Sequence, residues 1–202
     1  MAEDDRHSVP PIVPILSALL QRVADCNDAQ ASRHGRRRLP PPAAAFSGLA
    51  RPAISIRGYL DRIFRYADCS PSCFVVAYVY LDRFLHLHPS FAIDSFNVHR
   101  FLISAVVTAV KFMEDRCYNN AYFAKVAGIS LAEMNFLEVN FLFGLRFELN
   151  VSPFVFTSYC SILKREVSPQ IPLGFHCLGA KEEEEEEEPR SSSLCEQHLS
   201  CS

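Results

Sequence analysis

The residues best suited to chemistry are charged side chains that directly follow apolar runs. Lys111 follows the uncharged stretch "ISAVVTAV" (103–110), and Asp82 follows the apolar run "CFVVAYVYL" (73–81). An ammonium group offers three hydrogen-bond donors and a carboxylate offers only acceptors, so either can bind a backbone or pair with an opposite charge. Lys111 has a simpler explanation, because a cation in the last turn of a helix complements the helix dipole. The pattern alone favours that explanation.

Asp82 needs a partner if its helix is buried on most sides, because an unpaired buried carboxylate is costly. Arg57 is the candidate, since it stands near the start of the preceding helix beside Ile56 and Tyr59. Losing one member of such a buried pair costs about 3–5 kcal/mol. The alternative is that Asp82 and Arg83 mark a solvent-facing strip. The pattern does not separate these two interpretations.

Glu138 lies within another apolar segment, "LAEMNFLEVNFLFG". Leu142 follows four residues later, so a carboxylate and an apolar side chain share one helical surface. A single acidic residue on a helix is more often part of a solvated face than of a site. The spacing nevertheless makes this surface a candidate for contact with a partner.

The chain has eight cysteines, and several lie in or beside apolar helical patterns, where a thiol behaves as a small apolar group. We expect them to be reduced. Cys69 and Cys73 are the nearest pair, but no second pair of Cys or His residues completes four zinc ligands, and His86 and His88 point apart on a helix. The sequence predicts no metal site and no cofactor.

No catalytic motif is present in the sequence. There is no Gly-rich phosphate loop, no nucleophile elbow and no pair of catalytic carboxylates. The uninterrupted apolar runs are well short of the roughly 18 residues that indicate a membrane span. We therefore expect a protein that is not an enzyme, takes no small-molecule ligand and does not enter a membrane.

The hydrophobic periodicity indicates an all-α fold. Apolar residues recur at helical spacing in segments with recognisable ends: Pro71 follows the N-cap candidate Ser70, Gly128 stops a short helix, and Ser130 with Glu133 forms a capping box. The predicted helices that follow the first begin near residues 54, 71, 97, 119, 131 and 153. No segment shows the alternation expected of a strand.

The chain divides into five predicted regions. These are a disordered N-terminus (1–11), an N-terminal helix (12–28), an exposed basic Pro/Ala-rich linker (29–53), one helical domain (54–166) and a disordered tail (167–202) that contains seven consecutive glutamates. Like charges in that run repel each other, so solvation is its favoured role. The acidic N-terminus lacks a secretory signal, and we expect an intracellular protein in the nucleus, the cytoplasm or both.

Three segments in order resemble one family. "VVAYVYLDRFL", "LISAVVTAVKFMED" and "NNAYFAKVAGISLAEMNFLEVNFLFGLRFELNVSPF" are similar to the cyclin box, and specifically to the U-type (P-type) cyclins of plants, relatives of the yeast phosphate-pathway cyclins. The similarity covers residues 12–165 and is strongest over 54–157. It implies a single five-helix cyclin box with an additional N-terminal helix.

The resemblance implies that the chain binds and activates a cyclin-dependent protein kinase, of the A-type in a plant, by docking on the kinase αC helix. Lys111 and Glu138 match the family's lysine and glutamate that reach the kinase main chain. Leu142, Phe147 and Leu149 match its apolar kinase contacts. Arg57 and Asp82 match an internal ion pair of the family, which favours the structural interpretation of those two residues.

Two alternative functions remain open. The segment "AYFAKVAGISLAEMNFLEVN" (121–140) has the spacing of a helix-turn-helix that binds nucleic acid, although residues 131–145 contain no Lys or Arg to contact bases and phosphates. The basic cluster "RHGRRR" (33–38) is better explained as a solvated linker, given the net charge of −3. The other alternative is a cyclin-fold scaffold that activates no kinase. Retention of Lys111 and Glu138 argues against it.

Overall fold

The computed structural model describes residues 9–34 and 41–165. Within these ranges the chain is entirely helical and has no strand, which confirms the all-α prediction. The elements are α1 (Ile12–His34), a 3-10 helix (Ala43–Phe46), α2 (Ile56–Ala67), α3 (Pro71–Leu87), α4 (Val98–Met113), α5 (Asn120–Ala127), α6 (Leu131–Gly144) and α7 (Pro153–Arg165).

Helices α3 and α4 form the centre of the bundle and pack along each other. Small side chains on α4, among them Ser104, Ala105, Thr108 and Ala109, are all buried and allow the close approach. Around them α1, α2, α6 and α7 contribute apolar faces. Removing this apolar surface from water is the main force that holds the bundle together.

Local hydrogen bonds fix where the helices begin and end. The hydroxyl groups of Ser55 and Ser130 accept from backbone N–H groups in the first turns of α2 and α6. Gly128 ends α5 in the left-handed region at φ 74°, as its position predicts. Ser70 precedes α3 but its side chain makes no capping bond; the carboxylate of Glu114 instead accepts from the Ser70 N–H at 3.0 Å.

Part of the segment predicted as a linker, residues 29–53, is helical in the structure. Helix α1 runs six residues beyond the predicted end at 28, to His34. The 3-10 helix then inserts Phe46, which is fully buried, against Phe84 and Phe101, with ring centroids 5.4 and 5.3 Å apart. A lone aromatic in an aperiodic, Pro-rich segment gives no periodic signal, so its burial was not predicted.

Helix α6 meets the core at a glycine. A Cβ atom on Gly144 would overlap the ring of Phe84, so only glycine allows α6 to approach α3 this closely. The rings of Phe84 and Phe141 then stack with centroids 5.6 Å apart. This contact fixes the position of α6, and α6 carries one of the predicted site residues, Glu138.

Membrane-spanning helices and metal-binding clusters were sought among the described residues. No single helix there is long and apolar enough to cross a membrane; α5 and α6 pass on length and composition only as a pair, and they are bent by 103°. Residues 9–34 and 41–165 contain no group of three or more His, Cys, Asp or Glu side chains arranged to hold a metal ion. The predicted disordered ends fall outside the described residues, except for positions 9–11.

Candidate functional site

Lys111 and Glu138 lie next to each other on the surface of the bundle. Lys111 is in the last turn of α4 and Glu138 is in the middle of α6, and Lys111 Nζ donates to Glu138 Oε1 at 2.6 Å. The Asn120 side chain, at the start of α5, donates to the other carboxylate oxygen at 2.6 Å. Three helices therefore converge to position one ammonium and one carboxylate group side by side.

This ion pair is accessible from outside. The Lys111 side chain is 32% exposed and the Glu138 side chain is 14% exposed. A partly exposed pair of this kind contributes only about 0–1 kcal/mol to the free energy of unfolding. Lys111 Nζ has three donors, and its contact with Glu138 occupies one, so it can still bind carbonyl groups of a partner. The pair therefore contributes little to stability.

Large apolar side chains are exposed on α4 and α6, the two helices that carry the pair. We call this the α4–α6 surface, and it consists of Lys111 and Glu138 with the exposed apolar residues Phe112, Met113, Phe136, Val139 and Phe143. Each of these apolar side chains is at least 43% exposed. Several large exposed apolar residues on neighbouring helices, with few charges among them, are typical of an interface with another protein.

An apolar groove of about 500 Å³ adjoins the α4–α6 surface. It lies between α3, the end of α4, the segment after α6 and the start of α7. We call it the apolar groove, and its lining includes Val76, Tyr80, Phe112, Met113, Leu149 and Phe156. Its depth and apolar lining suit an aliphatic side chain from a partner helix.

Leu149, one of the predicted contacts, forms part of the wall of the apolar groove. Its backbone carbonyl accepts from the Tyr80 hydroxyl at 2.7 Å. Burial raises the pKa of Tyr80 to about 12, so the hydroxyl remains a donor. The guanidinium of Arg83 donates to the carbonyl groups of Glu148 and Asn150 on either side. Two side chains of α3 thus hold the segment that presents Leu149.

Phe147 projects from a tight turn directly after α6. Arg146 and Phe147 both have positive φ, 54° and 59°, and the Phe147 N–H donates to the Leu142 carbonyl at 3.0 Å. Residues other than glycine pay a cost in this region, and such strain is concentrated at functional positions. The turn places the rings of Phe147 and Phe143 edge to face, with centroids 5.2 Å apart, and 56% of Phe147 remains exposed. Leu142 is half-buried beneath this turn.

The predicted ion pair between Arg57 and Asp82 does not form. Arg57 Nε donates to Asp61 at 3.0 Å, one turn along its own helix. Helix α2 packs against α1, α4 and α5 and makes little contact with α3, so the Arg57 side chain does not reach the centre of α3. Both interpretations of Asp82 were wrong, because the side chain is buried and neither Arg57 nor any other arginine or lysine among the described residues forms an ion pair with it.

Asp82 is paired with a tyrosine. The Tyr159 hydroxyl on α7 donates to Asp82 Oδ2 at 2.5 Å. Burial raises the pKa of Asp82, an effect that the hydrogen bond from Tyr159 partly offsets. Tyr78 positions the tyrosine, since the two rings meet edge to face with centroids 5.7 Å apart. Asp82 therefore acts inside the fold and takes no part in the candidate site.

Several residues of the site were missed by the sequence reasoning. Phe112 and Met113 directly follow Lys111, and Phe136, Val139 and Phe143 share α6 with Glu138. The available signal was an excess of apolar residues, since α6 is apolar on more sides than a surface helix requires. Asn120 gave no signal, because its contact with Glu138 depends on the approach of α5 to α6.

The family model that matches this chain is described as Cyclin and covers residues 11–149. The match begins at α1 and includes the segment that was predicted as a linker. It therefore treats α1 to the end of the Phe147 turn as one unit, in agreement with the burial of Phe46 between them.

Curated plant proteins are similar over most of the chain. Cyclin-P4-1 of Oryza sativa subsp. japonica is 62% identical over 161 residues, covering 80% of this chain and 76% of the relative. Cyclin-U4-1 of Arabidopsis thaliana is 55% identical over 176 residues, covering 86% and 85%. Cyclin-U3-1 of Arabidopsis thaliana is 38% identical over 192 residues, covering 93% and 84%. The chain belongs to the cyclin family, among the U-type (P-type) cyclins of plants, and has the regulatory role of that family.

Proposed function

We propose that this chain binds a cyclin-dependent protein kinase, A-type in a plant, and activates it by docking the α4–α6 surface on the kinase αC helix. The observation that carries the proposal is the Lys111–Glu138 pair, on two helices that also expose large apolar side chains and next to a groove lined by Phe112 and Met113. Such a surface offers one donor group, one acceptor group and apolar contact area to a single helix of a partner. The cyclin family supports a kinase partner.

The two charged groups have separate roles in this proposal. Lys111 donates to carbonyl oxygens at the end of the kinase helix, and Glu138 accepts from main-chain N–H groups. Leu149 and Phe112 receive an aliphatic side chain in the apolar groove, while Leu142 and Phe147 contact the same helix from the side of α6. Charge-assisted bonds at the centre of a desolvated contact are stronger than the exposed pair alone.

Activation follows from a shift in population and requires no catalytic group on this chain. A protein kinase is active when its β3 lysine pairs with the glutamate of αC. A rigid surface that binds αC only in that position favours the active arrangement by its difference in affinity for the two states. The chain supplies binding energy, and the kinase performs the chemistry.

The nucleic-acid alternative receives little support from this surface. The exposed side of α6, which would be the recognition helix, presents Phe136, Val139 and Phe143. Phosphate contacts require cations or hydrogen-bond donors, and these aromatic and aliphatic groups offer none. A helix with these exposed groups suits a protein groove better than the backbone of a duplex.

Co-purification of kinase with the purified chain tests the proposal. We expect Lys111→Ala combined with Glu138→Ala to abolish recovery of a cyclin-dependent kinase, because truncations at an interface centre cost about 2 kcal/mol or more each. The matched control is Arg100→Ala with Glu133→Ala. That pair also joins α4 to α6, at 2.7 Å and with similar exposure, but lies outside the α4–α6 surface. The control variant should bind the kinase as well as wild type does.

Two outcomes would contradict parts of the proposal. If the Lys111 and Glu138 variant binds and activates the kinase like wild type, the site is wrongly assigned. If wild type binds the kinase but peptide phosphorylation by the complex does not rise above that of kinase alone, the chain is a non-activating scaffold. We also propose that the chain is intracellular, in the nucleus, the cytoplasm or both, where imaging should find it together with the kinase.

A further inference from the structure

A second groove, of about 690 Å³, lies on another part of the bundle between α2 and α5. We call it the basic groove, and its polar and aromatic lining consists of Asp61, Arg62, Arg65, Tyr66, Tyr122 and Lys125. None of these residues belongs to the α4–α6 surface or to the apolar groove. The function proposed above leaves this groove without a role.

The cations of the basic groove outweigh its anions. Arg62 is fixed in place because its guanidinium donates to the Lys125 carbonyl at 3.0 Å, which joins α2 to the end of α5. Arg65 and Lys125 are exposed and form no ion pair with any described residue. Asp61 is already paired with Arg57 at 3.0 Å. The exposed Asp68, at the end of α2, reduces the excess of positive charge but does not cancel it.

Tyrosine rings form one wall of the groove. The Tyr122 hydroxyl donates to the Tyr66 carbonyl at 2.9 Å, and the Tyr118 ring stacks on Tyr122 with centroids 3.9 Å apart. Tyr66 is 54% exposed and Tyr118 is 41% exposed. Ordered low-dielectric walls beside cations strengthen the attraction for an anionic ligand, and phenol hydroxyls can donate to its carboxylates.

We propose that residues 182–188 of this chain, seven consecutive glutamates, bind in the basic groove in cis. The charge of the run is opposite to that of the groove. Glutamate carboxylates would lose hydration without compensation on an apolar surface, which disfavours the apolar groove as their site. Sixteen residues, 166–181, separate the end of α7 from the run, a length that reaches at most about 58 Å when extended. A domain of this size has a radius of gyration of about 15 Å, so the groove is within reach.

The tether makes this interaction effective even if each contact is weak. A covalent connection of this length raises the local concentration of the run at the groove to about the millimolar range. The bound run then excludes other acidic peptides from the groove. The basic cluster at 33–38 is the competing acceptor within the chain, and the experiment must distinguish it from the groove.

Carbodiimide cross-linking of the full chain tests the proposal, because the sequence contains only four lysines: Lys111, Lys125, Lys164 and Lys181. The reagent joins a lysine amine to a carboxylate in contact with it. We expect mass spectrometry to find Lys125 joined to the glutamate run, with a yield that does not change on about tenfold dilution, as an intramolecular contact requires. High salt should abolish this product, because the contact is electrostatic.

Two charge reversals of equal size separate the groove from the basic cluster. Arg65→Glu should remove most of the Lys125 product and leave α5 in place, since the Arg65 side chain makes no hydrogen bond or ion pair with another described residue. Arg33→Glu, on the exposed side of α1, should leave the yield unchanged. If the yield instead falls with Arg33→Glu and not with Arg65→Glu, or if Lys125 is never joined to the run, the proposal is overturned.

Binding of a free peptide gives a second measurement that does not depend on cross-linking. The probe is a synthetic peptide of residues 180–190, added to the wild-type chain and to a full-length variant with all seven glutamates changed to glutamine. We expect the variant to bind the peptide at least about tenfold more tightly, because its groove is vacant. Equal binding by both chains would mean that the run does not occupy the groove.

Discussion

Helices α3 and α6 are both rich in apolar residues, but they use them differently. Most of α3 is interior, including Tyr80, Leu81 and Phe84, whereas α6 leaves Phe136, Val139 and Phe143 more than 48% exposed. Helix α3 is covered by α1, α4, α6 and α7, while α6 is covered on one side only, by α3, α4, α5 and the 3-10 helix. The comparison shows that apolar composition alone does not distinguish a core helix from a helix with an open apolar face.

The physical reason is the number of neighbours that the fold provides. An apolar side chain stabilises the monomer only where another element removes it from water, and α6 has no element over its outer face among the described residues. Exposed aromatic groups lower solubility and bring no stability to the monomer, and several on one face are typical of an interaction surface. The core helix α3 sets the position of α6 through the contact of Phe84 with Gly144.

The largest effect is expected from matched truncations on the two helices. Phe84→Ala removes a fully buried ring that contacts Phe46, Phe91 and Phe101, and should lower the free energy of unfolding by about 3–5 kcal/mol. Phe143→Ala, on the exposed face of α6, should change it by no more than about 0.5 kcal/mol but weaken kinase binding.

Chemical denaturation and kinase titration of both variants measure these two effects. The comparison between α3 and α6 fails if Phe143→Ala destabilises the protein as much as Phe84→Ala does. It also fails if Phe143→Ala leaves kinase affinity unchanged, since the exposed face of α6 would then have no interface role.

A smaller effect is expected where α3 contains a charge. Tyr159→Phe removes the hydrogen-bond donor to buried Asp82 and should cost about 1–3 kcal/mol of the free energy of unfolding. Arg57→Ala should cost less than about 1 kcal/mol, because its pair with Asp61 is partly exposed. Thermal or denaturant unfolding of the two variants checks the order. If Arg57→Ala lost more free energy of unfolding than Tyr159→Phe, the result would support the ion pair between Arg57 and Asp82 that was predicted from the sequence.

The smallest effect expected is on the pH dependence of stability, which should have opposite signs for Asp82 and Glu114. Burial raises the pKa of Asp82 above its ordinary value of 3.8, so the folded state retains a proton that the unfolded state releases. The stability of wild type relative to Asp82→Asn should therefore fall as pH rises from 3.8 through the raised pKa, and then level off. Denaturant unfolding of both proteins across this range measures the difference.

Glu114 is the matched control with the opposite sign. The backbone N–H of Ser70 donates to its carboxylate and lowers its pKa below the ordinary value of 4.5. The stability of wild type relative to Glu114→Gln should therefore be present above pH 4.5 and be lost as pH falls through the lowered pKa. If both variants change in the same direction with pH, the assigned surroundings of one carboxyl group are wrong.

The positions of the helices were largely predictable. Helix α4 was expected over 97–113 and occupies Val98–Met113, and the helix starting at Pro71 and the stop at Gly128 lie where predicted. These features depend on local capping and on periodicity within one segment, which the sequence displays directly. The prediction of α1 was too short, because residues 29–34, "AQASRH", have no periodic apolar face.

The partners of individual side chains were much less predictable. Glu138 was singled out, but its contact with Asn120 was not, and Asp82 was given the wrong partner. Tyr159 is 77 residues from Asp82 in the chain, and nothing in its local sequence distinguishes it from the other tyrosines. A hydrogen bond across such a distance depends on how α7 packs over α3.

The sequence by itself determined the helical class, the ends of most helices and the charges that adjoin apolar runs, because backbone hydrogen bonds and side-chain periodicity act within a few residues. Only the tertiary structure decided that Lys111 pairs with Glu138 and that Asp82 accepts a hydrogen bond from Tyr159. It also decided that Phe46 is buried in the core and that the outer face of α6 is exposed. Those outcomes depend on which helices become neighbours, and packing among distant segments selects the neighbours by the total apolar surface that the whole bundle buries.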